Sequence, residues 1–339
     1  MEIRKLNMLR GLAALIVVFS HFANDTAWLG KYPGEGAGQL GVMLFFILSG
    51  FLMAYLYLRH DLDRARLRRY LVARVARVVP LFLLVVFGSY FLPRFGIQGW
   101  LFNFQTADVL WSHLLLLFGK SVLWTIPTEI HFYAIFCLLW WFGTRFRHGR
   151  LFVLIALLTL AVVFSGFPMF RGEVAGLRYH LHVVRTLPFF LVGLALGRLF
   201  TVWKAPSYLV HHGFAASLGL VLLLYPKIHQ AAFAREHIFW SDLKVLLALS
   251  AVFFAVVFFV PDDNPLLSNR LGDFLGQISY SLYLLHLPIL WNLRRHTEIL
   301  ENHGVWVLLV VFLAASILVS YLVYRIVELP CRTWIRRFA

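Results

Sequence analysis

Cysteine is nearly missing from this chain of 339 residues: Cys137 lies inside an apolar run and Cys331 near the basic C-terminal end. Two such residues form neither a disulfide framework nor a ligand spacing, so no metal is expected and thiol chemistry has no foundation. Charge is scarce too, at 14% of residues, with 16 acidic side chains against 31 Lys and Arg. No stretch has the composition of a separate soluble domain. Absent as well are a fixed-period repeat, a low-complexity linker and a coiled-coil heptad, which argues against solenoid and scaffold architectures.

Apolar surface is what the chain has in excess. Hydrophobic residues make up 61% of it, and the mean hydropathy is +0.78. Apolar runs of roughly 17 to 25 residues recur from end to end, each long enough to cross about 30 Å of hydrocarbon. The expected spans are 9 to 23, 40 to 58, 71 to 92, 124 to 142, 151 to 168, 184 to 201, 208 to 225, 243 to 260, 274 to 292 and 305 to 325. The fold class is therefore an all-α integral membrane protein, a polytopic bundle of about ten transmembrane helices forming a single domain over 1–339 with no extra soluble domain. The first run follows Arg4, Lys5 and Arg10 but lacks a small-residue cleavage site, so it reads as a retained helix rather than a signal peptide. Segment 108 to 118 is apolar but too short to span, and it reads as a re-entrant or interfacial helix inside the 93 to 123 connection.

The net charge of +15 does not point to nucleic acid, because the basic residues sit between apolar runs instead of forming one continuous face. Placing both termini in the cytoplasm puts Arg59, Arg64, Arg66, Arg68, Arg69, Arg74 and Arg77 at one inner connection. Arg145, Arg147 and Arg150 fall at the next, and 20 of the 31 Lys and Arg residues then lie inside. The expected location is a cell membrane, the bacterial inner or plasma membrane.

Polar groups within the runs are the candidate site. His21 stands near the outer end of the first span, where its nitrogens need a partner or a polar cavity. Glu129 stands near the outer start of the fourth, and His286 lies in the ninth. Helical rise puts all three in the outward half of the bilayer. Each has a plainer reading as an interhelical hydrogen bond or a packing salt bridge. Arg10 opens the first span from the inner side, where it suits an anion or a topology anchor. Arg74 and Arg77 form an i,i+3 pair on one face of the third span, and two guanidinium forks there suit phosphate oxygens. Lipid head groups compete for Arg64 to Arg69. Ser49 and Gly50 leave room for a neighbouring helix or an acyl chain to approach the backbone closely.

Taken together, these residues resemble the acyltransferase 3 family of integral membrane O-acyltransferases. Arg10 and His21 match the family's spacing of a basic residue and a histidine. Phe46 to Phe51 resembles its Phe-x-Leu-Ser-Gly-Phe block, and Arg74 and Arg77 its Arg-x-x-Arg pair. Trp124 to Tyr133 is similar to its Trp-x-x-x-x-Glu-x-x-Phe-Tyr segment, Ser279 to Pro288 to its Ser-Tyr-x-x-Tyr-Leu-x-His-x-Pro segment, and Val327 to Pro330 to its closing motif. Pro127 is a local departure that puts the start of the fourth helix, and so the placement of Glu129, in question.

The resemblance implies transfer of an acyl group, most often acetyl, from cytoplasmic acyl-coenzyme A (acetyl-CoA) to a hydroxyl of a saccharide or glycolipid, as in polysaccharide O-acetylation. It implies Arg10, Arg74, Arg77, Ser49 and Gly50 around the donor, His21 as general base with Glu129 orienting it, and His286, Tyr133 and Tyr280 in support. The partners implied are a saccharide, lipid-linked saccharide or other hydroxyl acceptor, membrane lipids and glycan-assembly proteins, with no nucleic acid. A transporter or flippase with an intramembrane His/Glu proton relay shares the architecture and stays open.

The orientation is checked by labelling single cysteines placed in 61 to 68 and in 100 to 106. The two sets should react from opposite sides of the membrane; labelling from one side overturns the topology.

Overall fold

The computed structural model describes residues 3–97, 99–145, 150–166, 170–236, 238–295 and 304–339. Arg147 of the second basic connection, Gln98 of the 93 to 123 connection and positions 167 and 168 of the fifth expected span lie outside the described residues. In chain order the helices are α1 Arg4–Thr26, α2 Gly38–Tyr57, α3 Arg64–Phe91, α4 Ala107–Leu114, α5 Thr125–Arg145, α6 Arg150–Ser165 and α7 Val183–Val202. A 3-10 helix His212–Leu224 follows, then α8 Pro226–Phe233, α9 Leu243–Phe254, α10 Arg270–Arg295, α11 Val305–Val323 and α12 Leu329–Ile335. Helix covers most of each of the ten expected ranges. By length and hydropathy, however, six described helical stretches suffice to cross a bilayer: Arg4–Thr26, Gly38–Tyr57, Arg64–Phe95, Ser121–Arg145, Val183–Val202 and Val305–Phe338.

Among the four expected ranges that fall short are two short helices. α6 has 16 residues, roughly 24 Å at the α-helical rise. The seventh range is wound as a 3-10 helix of 13 residues, and the larger rise of that geometry stretches it to roughly 26 Å. Its packing follows the winding: Ala215, Val221 and Leu224 are buried and Leu218 is half-buried, a row at i,i+3 that eclipses on one side of a three-residue turn.

The chain also departs from all-α once. Strands β1 Phe170–Val174 and β2 Leu177–Leu181 pair antiparallel with Val174 opposite Leu177. The two-residue turn between them has positive φ at Ala175 and Gly176, 51° and 77°, which is the twist a tight hairpin requires.

The chain divides into two compact units, each assembled from separated stretches. The first comprises Met1–Asp61, Trp140–Pro168 and Val184–Ser279, the second Leu62–Leu139, Met169–Val183 and Tyr280–Ala339. In the first unit α1 and α2 meet where Gly41 faces the Ala13 carbonyl and Val17. On the next stretch of α2, Gly50 faces the Phe190 carbonyl of α7, and Phe46 stacks on Phe190 with centroids 4.4 Å apart. Small residues bring the backbones together because a hydrocarbon solvent supplies no hydrophobic drive between helices. At the N-terminal end of α1, Lys5 is buried; its ammonium donates to the Val260 carbonyl at 2.7 Å and pairs with Asp262 at 3.1 Å.

In the second unit, Asp63 caps α3 by accepting from the Arg66 amide at 2.7 Å. The 93 to 123 connection contains α4, eight residues long, so the expected short helix is present. It is tied down by backbone bonds: the Phe104 amide donates to the Ser89 carbonyl, and the Asn292 carboxamide to the Gly99 carbonyl. At its centre lies His113, fully buried beside Phe104 and Phe118. Its Nδ1 lies 2.7 Å from the Val109 carbonyl, and its Nε2 accepts from the Lys120 amide at 2.8 Å. That pair of bonds requires the neutral ring with the proton on Nδ1.

Burial, helped by the Lys120 charge and opposed by the Val109 bond, pushes the His113 pKa down to about 4. A histidine whose folded pKa lies below its unfolded value adds stability that is complete above about pH 6.5 and is lost as pH falls toward 4. The span between those values corresponds to roughly 3 kcal/mol. Thermal unfolding in detergent should show the parent losing its advantage over His113→Gln across that window. Parallel pH curves for the two proteins would refute it.

Candidate active site

The expected site residues divide between the two units. Arg10, His21, Ser49 and Gly50 belong to the first, and Arg74, Arg77, Glu129, Tyr133, Tyr280 and His286 to the second.

In the first unit α1 is unbroken from Arg4 to Thr26, so Arg10 and His21 are separated by roughly 16 to 17 Å of rise. Eleven steps of about 100° bring them within about 20° of one another, so they share one face of the helix. Both are half-buried. Beyond His21 the chain folds back on itself: Trp28 stacks on Phe19 at 5.9 Å, and the Glu35 amide donates to the Asn24 side chain at 2.6 Å. Ser49 is buried beside Gly50. The backbone of α7 occupies the space over Gly50, so helix packing accounts for the missing side chain there.

The second unit brings its members together. Arg74 is buried, and its guanidinium carbon lies 5.8 Å from the centroids of both the Tyr70 and Tyr133 rings, within the reach of cation–π attraction. The Tyr133 hydroxyl donates to Glu129 Oε1 at 2.6 Å, one turn back on α5. The Tyr70 hydroxyl donates to the Tyr133 carbonyl at 3.2 Å. Pro127, the local departure from the family pattern, is the third residue of α5. A missing amide hydrogen costs nothing in the first turn, where that amide has no intrahelical acceptor, so Glu129 is helical and in register with Tyr133.

From α10, the Tyr280 hydroxyl donates to the Val78 carbonyl of α3 at 2.7 Å. The fully buried His286 has Nδ1 3.0 Å from the Leu282 carbonyl. Arg77, half-buried one turn on from Arg74, exerts its charge on Tyr133, Tyr280 and Glu328.

Tyr70 is a member that sequence reasoning passed over, and Glu328 entered it only as part of the closing Val327 to Pro330 motif, with no role. Glu328 accepts a short hydrogen bond from Ser281 and ends a π-helical turn, Tyr324–Glu328, that comes directly after α11. Such turns add a residue to the helix and rotate the side chains beyond them. A carboxylate closing a long apolar run was the available signal; Tyr70, inside the basic cluster, offered none. Two guanidinium groups, two carboxylates and a set of anchored tyrosine hydroxyls thus occupy one polar cluster suited to holding an anion and restraining its partners. Among the described residues, no group of three or more His, Cys, Asp or Glu side chains is placed to hold a metal ion.

Comparison with known proteins places the chain in a family. A family model described as an acyltransferase domain matches residues 3–325. The chain belongs to the acyltransferase 3 family. Among its relatives is a Staphylococcus aureus (strain COL) protein named "Putative O-acetyltransferase SACOL0978", 23% identical over 96% of this chain. The chain spans 57% of the length of that relative. "Putative membrane-bound transacylase BcsY" of Komagataeibacter xylinus is 25% identical, with 96% of this chain and 82% of the relative covered. "Putative acetyltransferase ORF330" of Acidianus two-tailed virus is 25% identical over 84% of this chain and 82% of its own. No solved structure matches.

Proposed function

We propose that this chain is a membrane O-acyltransferase that moves an acyl group, acetyl first among candidates, from acyl-coenzyme A to a hydroxyl of a saccharide or glycolipid. The observation that carries the reading is the Arg74/Arg77 pair. One guanidinium is held over two tyrosine rings and the other lies one turn on, an arrangement that fits a phosphate-rich donor. The location is the cell membrane with both termini cytoplasmic, and Arg10 and Ser49 contribute to the donor side.

Neutral His21 takes the acceptor proton as the hydroxyl oxygen bonds to the acyl carbon. The carbon–sulfur bond breaks, and the departing sulfur takes up a proton, so the reaction is balanced without an outside proton source. Glu129 is the second catalytic group, its carboxylate held in one orientation by Tyr133. His286 and Tyr280 support the arrangement from α10. The transporter reading needs no donor phosphate site, so transfer of labelled acetyl from acetyl-CoA to glycan or glycolipid by the purified protein in vesicles separates the two. Absence of transfer across a panel of such acceptors counts against the enzyme.

Arg74→Ala and Arg77→Ala should each weaken acetyl-CoA binding by calorimetry, and Arg77→Lys should recover only part, since an ammonium lacks the fork. Unchanged affinity in all three returns the pair to a topology role.

His21→Ala should lower turnover by about 100-fold to 10,000-fold, the range of general-base assistance. An interhelical hydrogen bond in a membrane is typically worth about 1 kcal/mol or less, so expression and acetyl-CoA affinity should stay near parental values. His21→Gln keeps a hydrogen bond but accepts no proton; turnover above about a tenth of the parent's would show that His21 is not the base.

A further inference from the structure

Outside the polar cluster, the second unit has a cavity of about 300 Å³ lined by Pro93, Arg94, Asn103, Phe104 and Gln105. It lies in the 93 to 123 connection, at the end of α3 remote from Arg74 and Arg77. None of its residues takes part in the acyl-transfer mechanism. We propose that this cavity is a subsite for a neutral, hydroxyl-rich ligand, a single sugar unit of the acceptor; the assignment rests on the O-acyltransferase reading.

The walls are fixed from several sides. The Phe102 amide donates to the Ser89 hydroxyl, the Phe104 amide to the Ser89 carbonyl, and Lys120 to the Phe102 and Asn103 carbonyls at 2.9 and 3.3 Å. Arg94 lies 3.5 Å over the Tyr90 ring and donates to the Tyr90, Phe104 and Gln105 carbonyls. A guanidinium has five N–H donors, and those three bonds leave two for a ligand. The loop is therefore pre-organised, and Arg94 is held in place with donors to spare.

The chemistry of the lining selects the ligand. Besides Arg94, the polar groups are two carboxamides, each with a donor and an acceptor end. The Asn103 Oδ1 is closed off from solvent and has no hydrogen-bond partner among the described residues. It sits on a backbone with φ of 49°, a conformation that asparagine tolerates better than most residues. A ligand that reaches that oxygen must bring it a donor, which an anion does not offer and a hydroxyl does. A cation is opposed by Arg94. The one further cation at this wall, Lys120, is already committed to backbone carbonyls. A hydroxyl both donates and accepts, so neighbouring hydroxyls of a sugar satisfy Arg94 and the carboxamides at once. At the small end of ligand-site volumes, the cavity suits one ring rather than a long acyl chain.

The test uses the full-length protein in detergent, with methyl glucoside, methyl galactoside and methyl mannoside as probes in saturation-transfer NMR. At least one glycoside should give a signal that falls about tenfold or more in Asn103→Gly, which removes the carboxamide but keeps the backbone conformation. Gln105→Ala, whose side chain anchors nothing in the fold, should weaken the same signal. Calorimetric acetyl-CoA affinity checks that both variants are folded. No signal from any glycoside, a signal indifferent to both substitutions, or displacement by inorganic phosphate below the glycoside concentration would overturn the subsite. Because glycoside binding is read without turnover, a protein that binds sugar through Asn103 but transfers no acetyl refutes the enzyme reading and leaves the subsite standing.

Discussion

A hydrocarbon solvent offers no hydrogen bonds, and this one constraint shapes both the fold and the site. Each backbone or hydroxyl group placed at membrane depth must find its partner within the chain. Several described hydroxyls meet it locally, although Ser316 and Ser320 are buried with no hydrogen-bond partner among the described residues. Ser89, Thr128 and Ser250 donate to the carbonyl four residues back, at 2.7, 2.9 and 2.5 Å, which satisfies the side chain without calling on another helix. The tyrosines of the second unit reach further: Tyr70, Tyr280 and Tyr283 donate to the carbonyls of Tyr133, Val78 and Val122. Each of those bonds crosses between chain segments, so the polar cluster is also a set of fasteners. That is why the proposed mechanism uses its tyrosines as supports, with Arg74 and Arg77 left for the donor and Glu129 for catalysis.

The same constraint explains what a sequence can and cannot disclose. Apolar runs announce helices because helix is the structure that satisfies a backbone locally, and all ten runs are mainly helical. Whether a run crosses depends on how it is wound. Ala215, Leu218, Val221 and Leu224 recur every third residue on the packed side, but the exposed Leu220, Leu222 and Leu223 between them are just as apolar, so the sequence does not disclose the 3-10 winding. The hairpin is short, and its turn residues, Ala175 and Gly176, are a weaker signal than Asn-Gly. His113 went unremarked because it sits in a segment read as a short re-entrant or interfacial helix, where one imidazole does not stand out. Only the fold brings the Val109 carbonyl and the Lys120 amide to opposite nitrogens of the ring.

Local spacing carried the site further than it carried the fold. Arg74 and Arg77 at i,i+3, and Glu129 and Tyr133 at i,i+4, are helical neighbours whatever surrounds them, and the structure shows the second pair hydrogen-bonded. Glu328 was not accessible in this way. Its partner Ser281 is 47 positions away, and the π-helical turn that aims it has no strong sequence signature. Gly50 shows the reverse case: the sequence allowed either a helix or an acyl chain to use the gap, and α7 occupies it.

α3 joins the two ends of the proposed chemistry. The Arg74/Arg77 pair lies toward its N-terminal end, and Arg94 lies past its C-terminal end in a short 3-10 extension, Leu92–Phe95. Seventeen residues from Arg77 to Arg94 correspond to roughly 25 Å of helix, close to the thickness of a bilayer's hydrocarbon core. A donor held by its phosphates at one end and a sugar held at the other cannot both be bound by groups near the reacting atoms. Their binding energy must instead come from remote anchors, with the donor's flexible arm and the sugar's reactive hydroxyl left to meet between them. Remote binding of this kind is useful when it fixes the geometry of the reacting centre. It also confines recognition to the membrane's two wet margins, where charges and hydroxyls are least costly to keep, and leaves few polar groups to be buried at depth.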